Sequence, residues 1–164
     1  SIRDTMALGG PDATDEEIVR AAQRAQAHEF IVDLPDGYGP QVGPTGRRFS
    51  AGQAKRIAIA QALLNDPPVL LLDEPTAELD RESETRLLQV LKALAVDHTV
   101  VVVSHSPLLL SHCQGLMVMD KGKLLAAGPA ANLLPKLGIQ PAAAANAAAA
   151  APGKTTLALQ EARA

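Results

Sequence analysis

The segment Val69-Leu70-Leu71-Leu72-Asp73-Glu74-Pro75-Thr76 places four apolar residues directly before two acids. An unbroken apolar run of this length is typical of a strand that is buried on both faces of a parallel sheet. In open parallel sheets, ligands bind beyond the carboxyl ends of the strands. The segment therefore predicts that Asp73 and Glu74 lie at a ligand-binding edge. The alternative is a strand that simply ends in solvent with two charged residues.

A second apolar run, Thr99–Val103, ends at Ser104-His105. A charged helix is predicted over residues 81–95, between the two strands. The order strand, helix, strand is the βαβ pattern of a doubly wound α/β domain. A lone histidine after a strand is more often structural or exposed. Two neighbouring strands that end in acids and an imidazole nevertheless favour one crevice that all three side chains face.

A helix is predicted over residues 50–65, and it opens with Phe49-Ser50-Ala51-Gly52-Gln53. A turn of small residues at a helix N-terminus exposes backbone N–H groups, and the helix dipole adds partial positive charge there. The sequence thus predicts an anion site in which Ser50 caps the helix and donates to a phosphate oxygen. The alternative for this segment alone is an N-cap without a ligand.

The remaining segments have weaker signals. A helix is predicted over residues 12–32, which have an apolar stripe at helical spacing, and a loop rich in Gly and Pro is predicted over residues 34–48. A hairpin is predicted with strands at 116–119 and 123–127, followed by a short helix over 129–137. Residues 138–164 are expected to form a flexible Ala-rich tail of low order, because Ala alone builds no core with defined contacts.

Composition limits the function classes. The chain has 164 residues, 47% of them hydrophobic, and a formal net charge of −3, so no basic field for nucleic acid is present. The single cysteine, Cys113, has no partner for a disulfide, which favours a reducing, cytosolic setting. No apolar run reaches the roughly 18 residues that a membrane helix needs. The chain opens at Ser1 without Met, and we expect the natural start to lie elsewhere.

Taken together and in this order, the motifs resemble those of ATP-binding-cassette (ABC) ATPases. Residues 49–53 are similar to the signature motif, usually LSGGQ, and Val69–Asp73 resembles Walker B. Glu74 then corresponds to the catalytic glutamate, residues 77–80 to the D-loop, and His105 to the switch histidine. The resemblance covers residues 1–137. It implies an incomplete ABC ATPase domain, with a helical signature part over 1–66 and part of a RecA-like parallel sheet over 67–137.

The resemblance also implies a mechanism. Two cassettes of this family hold two ATP molecules head to tail between them. Asp73 would help to place Mg²⁺, Glu74 would act as base for the attacking water, and His105 would contact the γ-phosphate. The signature residues would contact the γ-phosphate held by the partner cassette, and Asp80 would link the two sites across the interface. The implied cofactor-binding residues are Ser50, Ala51, Gly52, Gln53 and Asp80.

The chain departs from the family pattern in three ways. Ala51 replaces the first glycine of the signature motif, and Gln61 stands where the family often has Arg. No GxxxxGK[ST] Walker A motif precedes residue 50. Residues 152–156 (Pro-Gly-Lys-Thr-Thr) imitate half of one, but Ala148 occupies the place of the first glycine and no strand is predicted before it. The chain by itself is therefore expected to be inactive.

Finer features are similar to exporter subunits. Residues 1–4 resemble the segment after the exporter Q-loop, and residues 50–56 with 65–67 look closest to the CydD-type subunit of bacterial glutathione/cysteine exporters. This resemblance implies a soluble segment at the cytoplasmic face of a bacterial inner membrane. Its implied partners are a second cassette and a membrane-spanning domain. Two alternatives remain open: a non-catalytic module that completes a partner's ATP site, and a soluble cassette ATPase that acts on nucleic acid or ribosomes.

Overall fold

The computed structural model describes residues 1–39 and 49–140, and the backbone of residues 156–161. The described chain divides into two compact units. The first contains Ser1–Pro67 and Glu78–Ala93, and the second contains Pro68–Ala77 and Leu94–Ala164. The first unit is helical and also includes residues 78–93, which the sequence analysis grouped with the strands. The mixture of helices with a largely parallel sheet is the α/β architecture expected of an incomplete ABC ATPase domain.

The helical unit is built from short, capped helices. Ser1, Thr14 and Ser50 each begin a helix with a capping box, in which the cap side chain and an acid or amide three residues later satisfy each other's backbone N–H groups. The core is aliphatic, with Met6 and Ile18 almost fully buried. The helices are α1 Ile2–Ala7, α2 Asp15–Arg24, α3 His28–Val32, α4 Ala51–Leu63 and α5 Arg81–Leu94.

The helix predicted over residues 12–32 is broken in the structure. Helix α2 ends at Arg24, and α3 begins only at His28. Between them Gln26 has φ 52°, a left-handed conformation that no helix interior contains. The predicted loop 34–48 is seen as far as Gly39, and residues 40–48 lie outside the described part of the chain. The apolar stripe is a local signal. The break instead involves a tertiary contact, a hydrogen bond from Arg56 to the Gln26 carbonyl.

The strand unit contains one five-stranded sheet in the order β1-β2-β5-β3-β4. Strands β1, β2, β5 and β3 run parallel, and β3 pairs with β4 in an antiparallel hairpin. The strands are β1 Val69–Asp73, β2 Thr99–Val103, β3 Gly115–Asp120, β4 Lys123–Pro129 and β5 Thr156–Glu161. The hairpin turns at Lys121 and Gly122, both with positive φ, as a two-residue turn of this kind requires.

Short helices complete the strand unit. Helix α6 spans Pro107–Ser111, and α7 spans Ala130–Leu133. A single 3-10 turn over Leu134–Leu137 follows α7. It ends at Gly138, whose φ of 73° suits glycine because this residue has no Cβ to clash. Among the described residues, no helix combines the length and the apolarity needed to cross a membrane.

The expected low-order tail is wrong for residues 156–161, which form β5. Strand β5 pairs with β2 on one side and with β3 on the other. The composition of the Ala-rich segment concealed this strand, because strand formation here depends on backbone partners that are distant in sequence. Unpaired backbone groups inside a sheet are costly, and β5 supplies partners for both neighbours at once.

Strand β1 is not buried on both faces, contrary to the prediction from its apolar run. Leu70 is 4% exposed, whereas Leu71 is 70% exposed and Val69 is 53% exposed. Successive side chains of a strand point to opposite faces of the sheet. One face of β1 therefore packs in the core, and the other is open to solvent in this chain.

Leu70 and Leu71 form a matched pair for a stability test. Leu70→Ala should lower the free energy of unfolding by about 2–5 kcal/mol, because it removes buried methyl groups and leaves a cavity. Leu71→Ala should change it by no more than about 0.5 kcal/mol, because this side chain is exposed. Urea denaturation followed by circular dichroism measures both values. Equal losses for the two variants would contradict the one-sided burial of β1.

Cys113 is buried and chemically protected. The residue is 1% exposed, and its Sγ donates to the Leu109 carbonyl oxygen at 3.5 Å. Burial raises the pKa of the thiol to about 12, because the thiolate is poorly solvated there. The thiolate is the reactive form.

We therefore expect native Cys113 to react with a maleimide at least about 100-fold more slowly than the same thiol in denaturant, since reaction requires local opening. Quenched-flow labelling followed by mass spectrometry measures the two rates. A native rate close to the denatured rate would show that the thiol is accessible.

Candidate functional site

Asp73 and Glu74 lie where the first strand leaves the sheet. Asp73 is the last residue of β1 and stands opposite Val103 of β2. The Glu74 amide donates a further hydrogen bond to the Val103 carbonyl at 2.8 Å, and the Ala77 amide donates to the Glu74 carbonyl at 3.1 Å. Glu74 has φ 40°. A residue with a Cβ is strained in this left-handed region, and such strain is often found at functional sites.

The structure brings Glu74 and His105 together. His105 Nε2 lies 3.5 Å from Glu74 Oε1, and the contact becomes an ion pair when the imidazole is protonated. The two side chains are 38% and 36% exposed, respectively, so a ligand and water can reach both. Each residue follows the carboxyl end of a parallel strand. This is the edge at which α/β sheets bind ligands.

Two serines on either side of His105 shape its turn. The Ser104 side chain is fully buried, and its hydroxyl oxygen accepts a hydrogen bond from the Ser106 amide at 3.1 Å. The Ser106 hydroxyl oxygen in turn accepts from the Leu109 amide at 3.1 Å and caps α6, which has Pro107 in its first turn. The sequence analysis assigned neither serine a role. The Ser-Pro pair at residues 106–107 is the available signal, since it marks a helix start.

Asp73 is an exposed carboxylate at the same edge. Among residues 1–39 and 49–140, no three or more His, Cys, Asp and Glu side chains group together in a way that could hold a metal ion. Magnesium usually keeps several waters and is bound by one or two carboxylates together with substrate phosphates. The donor set here therefore fits a magnesium ion that arrives with a phosphate, rather than one held by the protein alone.

The predicted anion site at α4 is a capped helix start in the helical unit. The Gln53 amide donates to the Ser50 hydroxyl oxygen at 3.2 Å, and the Ser50 amide donates to Gln53 Oε1 at 3.0 Å. The Ser50 hydroxyl retains its own proton for donation. Ala51 is exposed at the first helical position. The family pattern has glycine here, but the Ala51 methyl group is exposed and meets no clash within the described chain.

Gly52 differs from Ala51 because another helix approaches it closely. A Cβ at Gly52 would lie 3.1 Å from both Cβ and Oγ of Ser83, near the start of α5. A contact this short obliges the neighbour to move by a few tenths of an ångström, so helix packing within this chain favours glycine at this position. The sequence analysis interpreted Gly52 as a phosphate contact and did not predict its close packing against Ser83.

Ser83 also contacts Asp80, which caps α5. The Ser83 amide donates to Asp80 Oδ1 at 2.8 Å, and the Ser83 hydroxyl donates to Asp80 Oδ2 at 3.1 Å. These hydrogen bonds, the amide bond foremost, lower the pKa of Asp80 because they favour the carboxylate. The charged cap is therefore complete above the ordinary aspartate value and is lost as the pH falls through the lowered pKa. Ser83 thus links Asp80 to Gly52.

Arg56 holds the start of α4 against the α2–α3 turn. Its Nη1 donates to the Gln26 carbonyl at 2.7 Å, and its guanidinium carbon lies 4.8 Å from the centre of the Phe30 ring. The Phe30 ring meets Phe49, the residue before Ser50, edge to face at 6.1 Å. Burial lowers the pKa of Arg56, although arginine stays charged. The hydrogen bond from Arg56 therefore gives the left-handed conformation of Gln26 a structural role. This contact was not predicted from the sequence.

The predicted residues thus fall into two groups. Asp73, Glu74 and His105 belong to the strand unit, and the α4 residues with Asp80 belong to the helical unit. Strand β5 begins at Thr156, directly after Gly-Lys-Thr at 153–155. A P-loop requires the strand before the glycines and a helix after them. Here a strand follows the glycine instead, and residues 152–155 themselves lie outside the described part of the chain.

The parallel sheet carries the acid–histidine pair at its carboxyl edge, which is the edge at which α/β proteins bind ligands. A family model described as "ABC transporter" matches residues 4–77. A second, described as "AAA domain, putative AbiEii toxin, Type IV TA system", matches residues 47–111. Residues 4–77 are therefore similar to ABC transporters.

Comparison with known proteins gives matches to proteins whose names describe multidrug export. Proteins named "Putative multidrug export ATP-binding/permease protein" from Staphylococcus aureus strains NCTC 8325 / PS 47 and COL are 41% identical over 138 residues, covering 84% of this chain and 24% of the relative. A protein of the same name from the bovine strain RF122 / ET3-1 is 40% identical over the same length. The chain thus spans about a quarter of the length of these relatives.

The contact between Gly52 and Ser83 gives a testable prediction. Gly52→Ala should lower the free energy of unfolding of the helical unit by about 1–3 kcal/mol, because the added methyl group overpacks the contact with Ser83. In the Ser83→Gly background the same change should cost less, by a coupling energy of about 0.5 kcal/mol or more. Chemical denaturation of the four chains of this cycle measures the coupling.

Ala51→Gly is the matched control, since it changes one methyl group at the adjacent exposed position. It should alter stability by less than about 1 kcal/mol. Independent effects of Gly52→Ala and Ser83→Gly would refute the close contact.

Proposed function

We propose that this chain is part of an ATPase that powers export across a membrane. The observation that carries the proposal is the contact between Glu74 and His105 at the carboxyl edge of the sheet, in a chain whose residues 4–77 are similar to ABC transporters. In this proposal Val69–Asp73 is the Walker B strand and residues 49–53 are the signature motif. Residues 1–137 work as one partial nucleotide-binding domain, with 1–66 around the signature helix and 67–137 around the strands.

Glu74 is proposed as the general base. Its carboxylate takes a proton from the attacking water while the water oxygen bonds to the γ-phosphorus and the bond to the ADP oxygen breaks. His105 lies within reach of the same carboxylate, so it orients Glu74 and donates to the γ-phosphate. Asp73 would hold Mg²⁺, which neutralises phosphate charge when bound. The chemistry then depends mainly on position and charge.

The α4 residues are proposed to serve a partner cassette. The hydroxyl of Ser50, the first backbone amides of α4 and the side chain of Gln53 stand at a helix N-terminus, where an anion is stabilised. Asp80 would act across the same interface. A capped and packed helix start supports this assignment, because the donors are already in place before nucleotide arrives. The proposed set for the partner's γ-phosphate is Ser50, Ala51, Gly52, Gln53 and Asp80.

The proposed partners follow from the relatives. Their printed names combine ATP-binding with permease, so we propose that this chain works beside a membrane-spanning domain at the cytoplasmic face of a bacterial inner membrane. We also propose a second cassette in a head-to-tail dimer. The similarity of residues 50–56 and 65–67 to CydD-type subunits supports a narrower hypothesis, in which the exported compound is a thiol such as glutathione or cysteine.

A second function is favoured by one observation. The chain has a capped signature helix but no GxxxxGK[ST] before it. It would therefore complete a partner's ATP site without hydrolysing ATP itself, and we propose that the chain alone is inactive. A cassette acting on nucleic acid or ribosomes is less supported, since the net charge is −3.

The test compares this chain with a version extended upstream to the length of its relatives. Only the extended protein should release phosphate from ATP with Mg²⁺, because only it can contain the Walker A cradle. Glu74→Gln should reduce its turnover about 100-fold or more, as loss of a general base does. A phosphate-release assay measures these rates.

Glu16→Gln is the control, since it removes an exposed carboxylate of α2 that is not among the proposed site residues, and it should leave turnover unchanged. Hydrolysis by the short chain that Glu74→Gln abolishes would refute its proposed inactivity. If the short chain instead stimulates a separate cassette, the module hypothesis gains support.

A further inference from the structure

The helical unit contains a pocket that has no part in the proposed ATPase function. This α2–α4 pocket lies between α2 and the C-terminal end of α4 and has a volume of about 270 Å³. Helix α2 contributes Glu17, Arg20, Ala21 and Arg24, and their spacing places them on one face of the helix. All of the lining residues belong to the helical unit, which therefore builds the pocket by itself.

The buried part of the lining is apolar. Leu63, the last residue of α4, is 3% exposed, and Ala21 is 4% exposed. Leu64 follows and is half-buried. Apolar surface of this kind favours a ligand with an apolar part, because contact removes both surfaces from water. The volume lies just below the range of about 300–1,000 Å³ that drug-sized ligands occupy, so the ligand must be small.

Both acids of the lining have partners within the protein. The Thr14 amide and the Thr14 hydroxyl donate to Glu17 Oε2 at 2.8 Å and 3.0 Å, respectively. At the other end of the pocket, Arg24 Nη1 pairs with Asp66 Oδ1 at 3.0 Å. Each carboxylate is therefore held by its own donor at the start of α2 or beyond the end of α4.

Arg20 is the charged group that remains. It is exposed and forms no hydrogen bond or ion pair with residues of the described ranges. The hydrogen bonds from Thr14 mainly, and the charge of Arg20 to a smaller extent, lower the pKa of Glu17. A guanidinium presents its N–H donors in a planar fork that matches the two oxygens of a carboxylate.

We propose that the α2–α4 pocket is a binding site for a small organic anion, namely a carboxylate joined to a short apolar body. Arg20 binds the carboxylate, and the apolar body lies against Ala21 and Leu63. The two acids of the lining disfavour ligands of higher negative charge, such as a phosphate, because like charges repel.

The inference goes beyond the proposed function. Helix α4 has 13 residues, so the pocket at its C-terminal end lies about 20 Å from the helix start that is proposed to contact nucleotide. Ligands of the two places also differ in chemistry. The proposed partner of the helix start is a phosphate, whereas the pocket takes a singly charged ion with an apolar part.

Benzoate is the probe, and titration of the full chain followed by NMR measures its binding. The amides of residues 20–24 and 63–66 should shift with a dissociation constant of about 1–10 mM, as expected for so small a ligand. Benzamide has the same ring without the charge, and acetate has the charge without the ring. Each should bind at least about 10-fold more weakly, because each lacks one of the two contacts.

Three exposed positions give variants with opposite expected effects. Arg20→Gln should weaken benzoate binding at least about 10-fold, because the charge-assisted hydrogen bonds are lost. Glu17→Gln should strengthen it about 2-fold, because a like charge is removed while glutamine still completes the capping box. Arg81→Gln is the control, since Arg81 is an exposed arginine of α5 that does not line the pocket, and it should leave binding unchanged.

The proposal is overturned if benzoate shifts none of these amides, if benzamide binds as tightly as benzoate, or if Arg20→Gln binds benzoate as the wild type does. Circular dichroism should show equal helix content in all variants. If Arg20→Gln unfolds, the preference of the wild-type chain for benzoate over benzamide decides. These measurements use no ATP, so their failure is distinct from a failure of the proposed ATPase function.

Discussion

Backbone pairing on both sides of β2 is the constraint on which the strand unit depends. A strand in a sheet interior exposes N–H and C=O groups along both edges, and a buried group without a partner costs as much as a lost hydrogen bond. Strand β1 satisfies one edge of β2, and β5 satisfies the other. The positions of Glu74 and His105 follow from this pairing, because each residue lies just after the end of its paired strand. The candidate site is thus a consequence of strand register.

Local signals in the sequence predicted much of this architecture. Helix α4, strands β1 and β2 and the hairpin of β3 and β4 lie where periodicity and turn residues placed them. The acid–histidine contact also followed from local information, since parallel strands bring their carboxyl ends to one edge. Features that depend on distant partners were missed. The clearest are β5, which forms only between β2 and β3, and the break at Gln26, whose carbonyl binds Arg56.

Exposure could not be predicted for a similar reason. The run from Val69 to Leu72 indicated burial on two faces, yet Leu71 is largely open to solvent. An apolar run indicates that a strand is suited to burial. A chain that spans about a quarter of its relatives' length does not have to contain the residues that would cover both faces of that strand. The role of Gly52 could not be predicted fully either, because its packing partner is distant in sequence. Its motif suggested a ligand contact, whereas the closeness of Ser83 shows that helix packing also favours glycine there.

The left-handed backbone at Glu74 sets two selective pressures against each other. A residue with a Cβ pays about 1–2 kcal/mol in this conformation, and glycine or asparagine would adopt it more readily. Random mutagenesis that rewards only folding should therefore drift away from glutamate at position 74. Selection for turnover should retain it. In a lineage that no longer uses the site, residue 74 should therefore be replaced before the residues of the hydrophobic core are.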